Sequence, residues 1–140
     1  LFRSVNKYLF DTPSLLIGED GANLINRSTP IAFIAKGKYW VNNHAHVLKS
    51  LGNTPLEYWE LCLNSIDLKP YVTGTAQPKM NQAKMNSIIL PLPPLAEQSR
   101  IVARVQKLMA VLDRLEEKLA ARDKDAILAS EAVAKMNQAL

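Results

Sequence analysis

Hydrophobic positions follow one repeating pattern in the last third of the chain, after a proline-rich segment at residues 91–94. From Leu95 to Leu140 the sequence contains no glycine or proline, and apolar residues recur at alternating steps of four and three. This heptad spacing is typical of a helix that pairs with a second helix. We therefore predict one helix over residues 95–140, roughly 65–70 Å long at 1.5 Å per residue. The predicted seam consists of Ile101, Val105, Leu108, Leu112, Leu115, Leu119, Ala126, Ala129, Val133, Met136 and Leu140.

The character of this seam changes along the helix. Its first half is built from isoleucine, valine and leucine, Arg122 interrupts it, and its second half is rich in alanine. Small side chains let two helix backbones approach closely, which favours tight pairing and is compatible with an antiparallel arrangement. A helix folded back on its own domain is the alternative. Because the apolar stripe is longer than a domain of this size could cover, we expect a separate helical partner.

Upstream of the prolines, the apolar runs are short and are separated by turn residues. One helix is indicated where Thr54 offers an N-cap, Pro55 the first helical position and Glu57 an acidic group in the first turn, and it should end near Ser65. Short runs rich in β-branched and aromatic residues, next to turn signals such as Lys36-Gly37-Lys38, predict strands. The predicted strands are residues 15–17, 31–35, 39–41, 45–48, 71–73 and 88–90.

Together these elements predict an α+β protein with three segments. Residues 1–90 form a domain around a small mixed β-sheet, residues 91–94 a stiff proline connector, and residues 95–140 the long pairing helix. The chain begins with Leu1 rather than Met, so we expect the natural N-terminus to lie upstream.

Composition narrows the function classes only modestly. The formal net charge is +4, and residues 1–90 carry nine Lys/Arg against six Asp/Glu, a balance that permits nucleic-acid binding without requiring it. There is no apolar run long enough to cross a membrane and no signal segment. The single cysteine, Cys62, cannot form an internal disulfide, which fits a reducing cytoplasm, and its apolar surroundings favour a buried structural thiol over a catalytic one.

The most specific signal is a set of local sequences in a fixed order. It comprises LIGEDGAN at residues 16–23, GKYWVNNHAHVL at 37–48, GTAQPKMN at 74–81, ILPLPPLAEQ at 89–98 and RIVARV at 100–105. The last three closely resemble the junction between a target recognition domain and a conserved spacer helix in the DNA-specificity subunits of type I restriction-modification enzymes. The first two resemble stretches inside such a recognition domain, and the proline block with Glu97 and Gln98 is the most specific element.

This resemblance implies a non-catalytic DNA-reading role. A specificity subunit holds two recognition domains apart with two helical regions that pair antiparallel, and it positions methylation and restriction subunits on double-stranded DNA. The present sequence has one recognition domain and one spacer helix. The resemblance therefore implies a fragment that would form a homodimer through its helix.

DNA reading requires cations for phosphates and polar side chains for base edges. The predicted DNA-contacting residues are Arg27, Lys36, Lys38, Asn42, Asn43, Gln77, Lys79 and Lys84, with Asn81 as a further polar candidate. Each could equally be a solvated loop residue. Gln77 and Asn81 could equally brace the junction between the domain and the helix, because they lie in the block that carries the resemblance.

Catalytic and cofactor motifs are missing from the sequence. It has no Asn-Pro-Pro-aromatic motif for a flipped adenine, no glycine-rich cofactor loop and no phosphate-binding loop. His44 and His46 are the one pair with a possible metal spacing, but no further Cys or His matches them and only Asp20 or Glu19 could add a ligand, so we expect no metal and no cofactor.

Two other interpretations stay open at this point. One is a dimeric scaffold with no DNA role, built around the heptad helix. The other is an enzyme in which His44 or His46 is the base, for which the sequence identifies no nucleophile.

Overall fold

The computed structural model describes the backbone of residues 7–138 and the side chains of residues 7–130. The chain divides into two compact units, Leu1–Val102 and Ala103–Leu140. The elements in chain order are β1 (Ser14–Gly18), α1 (Asn23–Asn26), β2 (Ala32–Ala35), β3 (Ala45–Leu48), α2 (Leu56–Ser65), a 3-10 turn (Lys69–Tyr71), α3 (Gln82–Asn86) and α4 (Leu95–Gln138).

The three strands form one sheet in the order β2-β1-β3, with β1 antiparallel to both neighbours. Ser14 lies opposite Ala35 on β2, and Leu15 lies opposite Leu48 on β3. The run Leu15-Leu16-Ile17 is apolar at successive positions because β1 is the central strand and both of its faces are covered.

Each face of β1 belongs to a separate apolar cluster. Leu15 and Ile17 face the main core, which also contains Leu24, Leu63, Leu68 and Met80. Leu16 faces the other way and packs with Tyr39 and Ala35, with Phe10, Phe33, Val41 and Val47 around them. The alternation along one strand therefore divides the domain into a main core and a smaller cluster on the opposite face.

Helix α2 covers the open edge of β2 with two side chains one helical turn apart. Glu60 Oε1 accepts from the backbone N–H of Ile34 at 3.2 Å, and Asn64 Oδ1 accepts from the N–H of Ala32 at 3.0 Å. The outward N–H groups of a strand recur every two residues, about 6–7 Å apart, which matches the spacing of side chains four residues apart on a helix. The edge of the sheet is thereby closed to pairing with another strand.

The predicted fold class is confirmed, including the long C-terminal helix, which extends from Leu95 to Gln138. The sheet is antiparallel throughout, where a mixed sheet was expected. The strands predicted at residues 15–17, 31–35 and 45–48 are confirmed.

The other three strand predictions are wrong, because these segments lack a continuous partner strand. Tyr39 pairs with Phe10 in a single bridge. Tyr71 ends the 3-10 turn, and Thr73 forms a single bridge with Lys79. Residues 88–90 alternate like a strand, with Ile88 and Leu90 against the core and Ile89 86% exposed, but no strand among residues 7–138 pairs with them.

The predicted cap of α2 is also wrong. Pro55 occupies the N-cap position, with extended backbone and no side-chain cap, while the carbonyl of Thr54 accepts a hydrogen bond from Ser50 Oγ at 2.7 Å. The predicted end of α2 at Ser65 is confirmed.

Residues 91–94 contain neither helix nor strand. The proposed boundaries at residues 90 and 95 stay predictions, since the compact units divide after Val102. Within the described part of the chain, no helix combines the length and apolar character needed to cross a bilayer.

Candidate nucleic-acid interface

The sheet brings three lysines to one of its ends. Because β1 is antiparallel to β2 and β3, the last residues of both outer strands, Ala35 and Leu48, lie beside the first residues of β1. Lys36 directly follows β2, Lys49 directly follows β3, and Lys38 lies two residues beyond Lys36. All three are exposed. We call Lys36, Lys38 and Lys49 the basic end of the sheet.

Aromatic rings support two of these lysines. Phe10 and Tyr39 stack with their ring centroids 5.4 Å apart, and Lys49 Nζ lies 5.9 Å from the centroid of Phe10. Lys38 Nζ lies 4.9 Å from the centroid of Tyr8. Both distances are within the range of cation–π attraction, which restricts a lysine without neutralising its charge.

The charges of the basic end are not paired internally. Among the described residues, Lys36, Lys38 and Lys49 take part in no salt bridge. Trp40, 44% exposed, lies in the same loop. Three ammonium groups without a described acidic partner suit a phosphate backbone, because phosphate contacts supply most of the electrostatic affinity for DNA.

The opposite end of the sheet carries the acidic turn Glu19-Asp20, whose charges are engaged. His44 Nδ1 donates to Asp20 Oδ2 at 2.7 Å, and Lys79 Nζ lies 3.0 Å from Glu19 Oε1. The backbone of Glu19 bonds on both sides: its N–H donates to the carbonyl of His44 at 2.9 Å, and its carbonyl accepts from the N–H of Met80 at 2.7 Å. The turn therefore joins β3 to the loop that precedes α3.

His46, on β3, makes a further contact between the sheet and the loop that precedes α3. Its Nε2 donates to the carbonyl of Met80 at 2.9 Å and lies 3.9 Å from Glu19 Oε2. A carbonyl can only accept, so Nε2 is the donor in this bond. Each histidine is thus engaged in an internal hydrogen bond, and within residues 7–130 no hydroxyl or thiol is hydrogen-bonded to either imidazole.

The residues predicted to contact DNA do not form one cluster. Lys36 and Lys38 lie at the basic end, while Lys79 lies at the acidic turn. Asn43 and Gln77 are exposed, and Asn42 accepts a hydrogen bond from the N–H of His44 at 3.1 Å through its side-chain oxygen. Contact with DNA remains a prediction for all of them.

Arg27 has an internal position. Its backbone is left-handed, with φ of 53°, and its Nη2 donates to the carbonyls of Leu63 at 3.1 Å and Asn64 at 2.7 Å. These carbonyls lie at the C-terminal end of α2, where the helix dipole favours a cation. Its Nη1 is buried and has no hydrogen-bond partner in the described part of the chain. The geometry makes Arg27 a brace between α1 and α2.

Lys84 and Asn81 belong to α3. Asn81 is the N-cap, and its Oδ1 accepts from the backbone N–H of Lys84 at 2.9 Å, while the Lys84 side chain is exposed. Asn81 thus stabilises the start of α3.

Lys49 is the cation that sequence reasoning missed. Lys49 directly follows β3 in the sequence. This position indicates a shared basic surface only when it is known that β3 and β2 end on the same side of β1. An order of strands is not readable from a strand's own residues, so Lys36 and Lys49 could not be paired beforehand.

The helix seam offers a second surface, on the unit Ala103–Leu140. Leu108, Leu112, Leu115 and Leu119 are each 50% exposed, and Ala126 and Ala129 are exposed too. The side chains of Val133 and Met136 lie outside the described residues, as does Leu140. Pairing through this seam remains a prediction.

Comparison with known proteins gives two findings. The family model described as type I restriction modification DNA specificity domain matches residues 2–122. A Haemophilus influenzae protein named as a type I restriction enzyme specificity subunit is 35% identical over 111 residues, which is 76% of this chain and 27% of that protein. The chain thus spans about a quarter of the length of this relative. Neither similarity favours a scaffold without a DNA role.

Proposed function

Because the chain belongs to the family of type I restriction-modification DNA specificity domains, we propose that it reads the target sequence of such a system on double-stranded DNA. In this role it positions methylation and restriction subunits and performs no chemistry itself. We also assign it to the cytoplasm, where its DNA target and its single cysteine fit.

The basic end of the sheet carries the DNA contact in this proposal. Lys36, Lys38 and Lys49 come from two loops that the sheet brings together, and no described carboxylate forms an ion pair with them. At the other end, Glu19 and Asp20 would repel phosphates and are already engaged. For base reading the candidates remain Asn42, Asn43 and Gln77, which lie in the loops that lead to the acidic turn rather than at the basic end.

A salt titration tests the DNA contact. Binding to random duplex DNA, followed by fluorescence anisotropy, should weaken steeply with salt. Replacing Lys36, Lys38 and Lys49 together by glutamine should lower the salt slope by about 2–3, since each lost phosphate contact lowers it by about 0.9. The matched control replaces the exposed Lys107, Lys118 and Lys124 of α4 by glutamine and removes the same charge. Equal losses in both variants would refute the basic end as the contact surface.

Homodimerisation through α4 is the second part of the proposal. The exposed leucines of the seam support it, since two such seams can bury each other. Two identical recognition domains would then read two identical half-sites.

Methylation mapping tests the assembled function. The chain is purified together with the cognate methylation subunit, and its methylated sites are mapped on a random DNA library. A symmetric bipartite site is expected. An asymmetric site would refute the homodimer, and methylation without sequence preference would refute the reading function itself.

A further inference from the structure

Two buried side chains hold the proline connector at its carbonyl groups. The hydroxyl of Tyr58, on α2, donates to the carbonyl of Pro91 at 3.0 Å, and Gln98 Nε2, in the first turns of α4, donates to the carbonyl of Pro93 at 2.8 Å. Tyr58 is 2% exposed and Gln98 is 1% exposed. Both bonds lie within the unit Leu1–Val102.

The connector depends on side chains for this attachment. Proline has no N–H, so a segment with three prolines in four residues cannot join a sheet or helix through a regular ladder of backbone bonds. The carbonyl of Pro94 accepts from the N–H of Glu97 and of Gln98, which begins α4. Tyr58 fixes the connector to α2, and Gln98 fixes the start of α4 to the connector.

Gln98 is an unusual residue for a position that only fills space. Its Oε1 is buried and has no hydrogen-bond partner among the described residues. An apolar side chain of similar size would avoid that cost. The amide is therefore best explained by the bond that Nε2 makes to Pro93.

We propose that Tyr58 and Gln98 are positioning residues that set the direction in which α4 leaves the recognition domain, and thereby the spacer length between the two half-sites of the DNA target. This inference rests on the proposed function. The 44 residues of α4 are one continuous helix, about 66 Å long. A tilt of about 3° at the start of such a rod displaces its far end by roughly 3.4 Å, the rise of one base pair. A small change in the orientation of the connector is thus enough to change the distance between two recognition domains on DNA by one base pair.

The test uses the complex with the cognate methylation subunit and a DNA library in which two half-sites are separated by spacers of varied length. Tyr58→Phe removes only the hydroxyl, and Gln98→Met replaces the amide by an apolar chain of similar length. Each variant should keep the half-site bases and raise methylation at spacers one base pair longer or shorter by about fivefold relative to the preferred spacer, the effect expected for one lost hydrogen bond. Tyr71→Phe and Ser99→Ala, which change neighbouring parts of the same unit, should leave the spacer preference unchanged.

The outcomes separate this inference from the function on which it rests. Wild-type protein without any bipartite preference would refute the proposed function. Wild-type protein with one preferred spacer, together with variants that keep the same preference, would refute the positioning role alone. Variants that lose the half-site bases along with the spacer would also overturn it, because these residues would then act by maintaining the fold of the domain.

Discussion

His46 on β3 donates a hydrogen bond of 2.9 Å to the backbone carbonyl of Met80, and this bond joins the sheet to the loop before α3. Met80 is fully buried, and the His46 side chain is 11% exposed. Next to it, the bond of His44 to Asp20 lies at the surface, with the His44 side chain 51% exposed. His46 on β3 and His44 in the turn before it therefore contribute unequally to the same junction.

We expect His46→Ala to lower the free energy of unfolding by about 2–3 kcal/mol, because it leaves a buried carbonyl without a donor. His44→Ala, the matched control two residues away, should cost less than about 1 kcal/mol, since exposed polar pairs contribute little. Urea unfolding at neutral pH measures both. Equal costs would contradict the role of the Met80 bond.

Asn64→Ala should destabilise the domain by about 2–4 kcal/mol, because several buried groups lose their partners together. Asn64 accepts from the N–H of Ile31 at 2.9 Å and of Ala32 at 3.0 Å, and its Nδ2 donates to the carbonyl of Ala32 at 2.8 Å. Ser65→Ala, at the exposed neighbouring position, should cost less than about 0.5 kcal/mol. Thermal or urea unfolding distinguishes the two, and a mild Asn64→Ala would mean that water replaces the side chain at the edge of β2.

We expect the folded protein to lose stability at alkaline pH because of Tyr58. Burial, and to a smaller extent the interaction with the Cys62 thiol, together raise the pKa of Tyr58 from its ordinary value of 10.0 to about 12. Between about pH 10 and pH 12 the unfolded chain loses this proton while the folded chain keeps it. Stability is therefore fully present below pH 10 and falls as the pH rises, by up to about 3 kcal/mol at about 1.4 kcal/mol per unit.

The measurement compares wild-type protein and Tyr58→Phe by urea unfolding at pH 9 and pH 11.5. At pH 9 the variant should be less stable by about 1 kcal/mol, because it lacks the bond to Pro91. At pH 11.5 this difference should shrink or reverse, since phenylalanine does not titrate. A constant difference at both pH values would show that the Tyr58 hydroxyl ionises as freely in the folded protein as in the unfolded chain.

The seam of α4 predicts self-association. Replacing Leu112 and Leu115 by glutamine keeps helix propensity but removes two exposed apolar side chains. The dissociation constant of the dimer should rise at least about 100-fold, since each buried leucine contributes about 1.5–3 kcal/mol. Glu116→Gln with Lys118→Gln, off the seam, is the control. Sedimentation equilibrium measures the change, and a monomeric wild-type chain at high concentration would end the homodimer proposal.

Sequence patterns were most reliable where one element's own geometry decides the outcome. The spacing of four and three residues determined α4, because side chains at those steps share one face of any helix. The apolar run at β1 and the end of α2 at Ser65 were also predicted correctly from local sequence, whereas the N-cap expected at Thr54 was not. At residues 39–41, 71–73 and 88–90 the local pattern resembled a strand. A strand also needs a partner strand, and among the described residues these segments form at most a single bridge.

The sequence by itself determined the long helix, the α+β class and the residues that carry the family resemblance, because these depend on periodicity and on short local sequences. Only the tertiary structure decided which distant residues meet. The strand order β2-β1-β3 brings Lys36 and Lys49 to one end of the sheet, the packing of α2 turns Arg27 into a brace, and the fold places Tyr58 against Pro91. Such contacts depend on how separate elements pack, and the free energy of that packing belongs to pairs of elements rather than to either sequence segment alone.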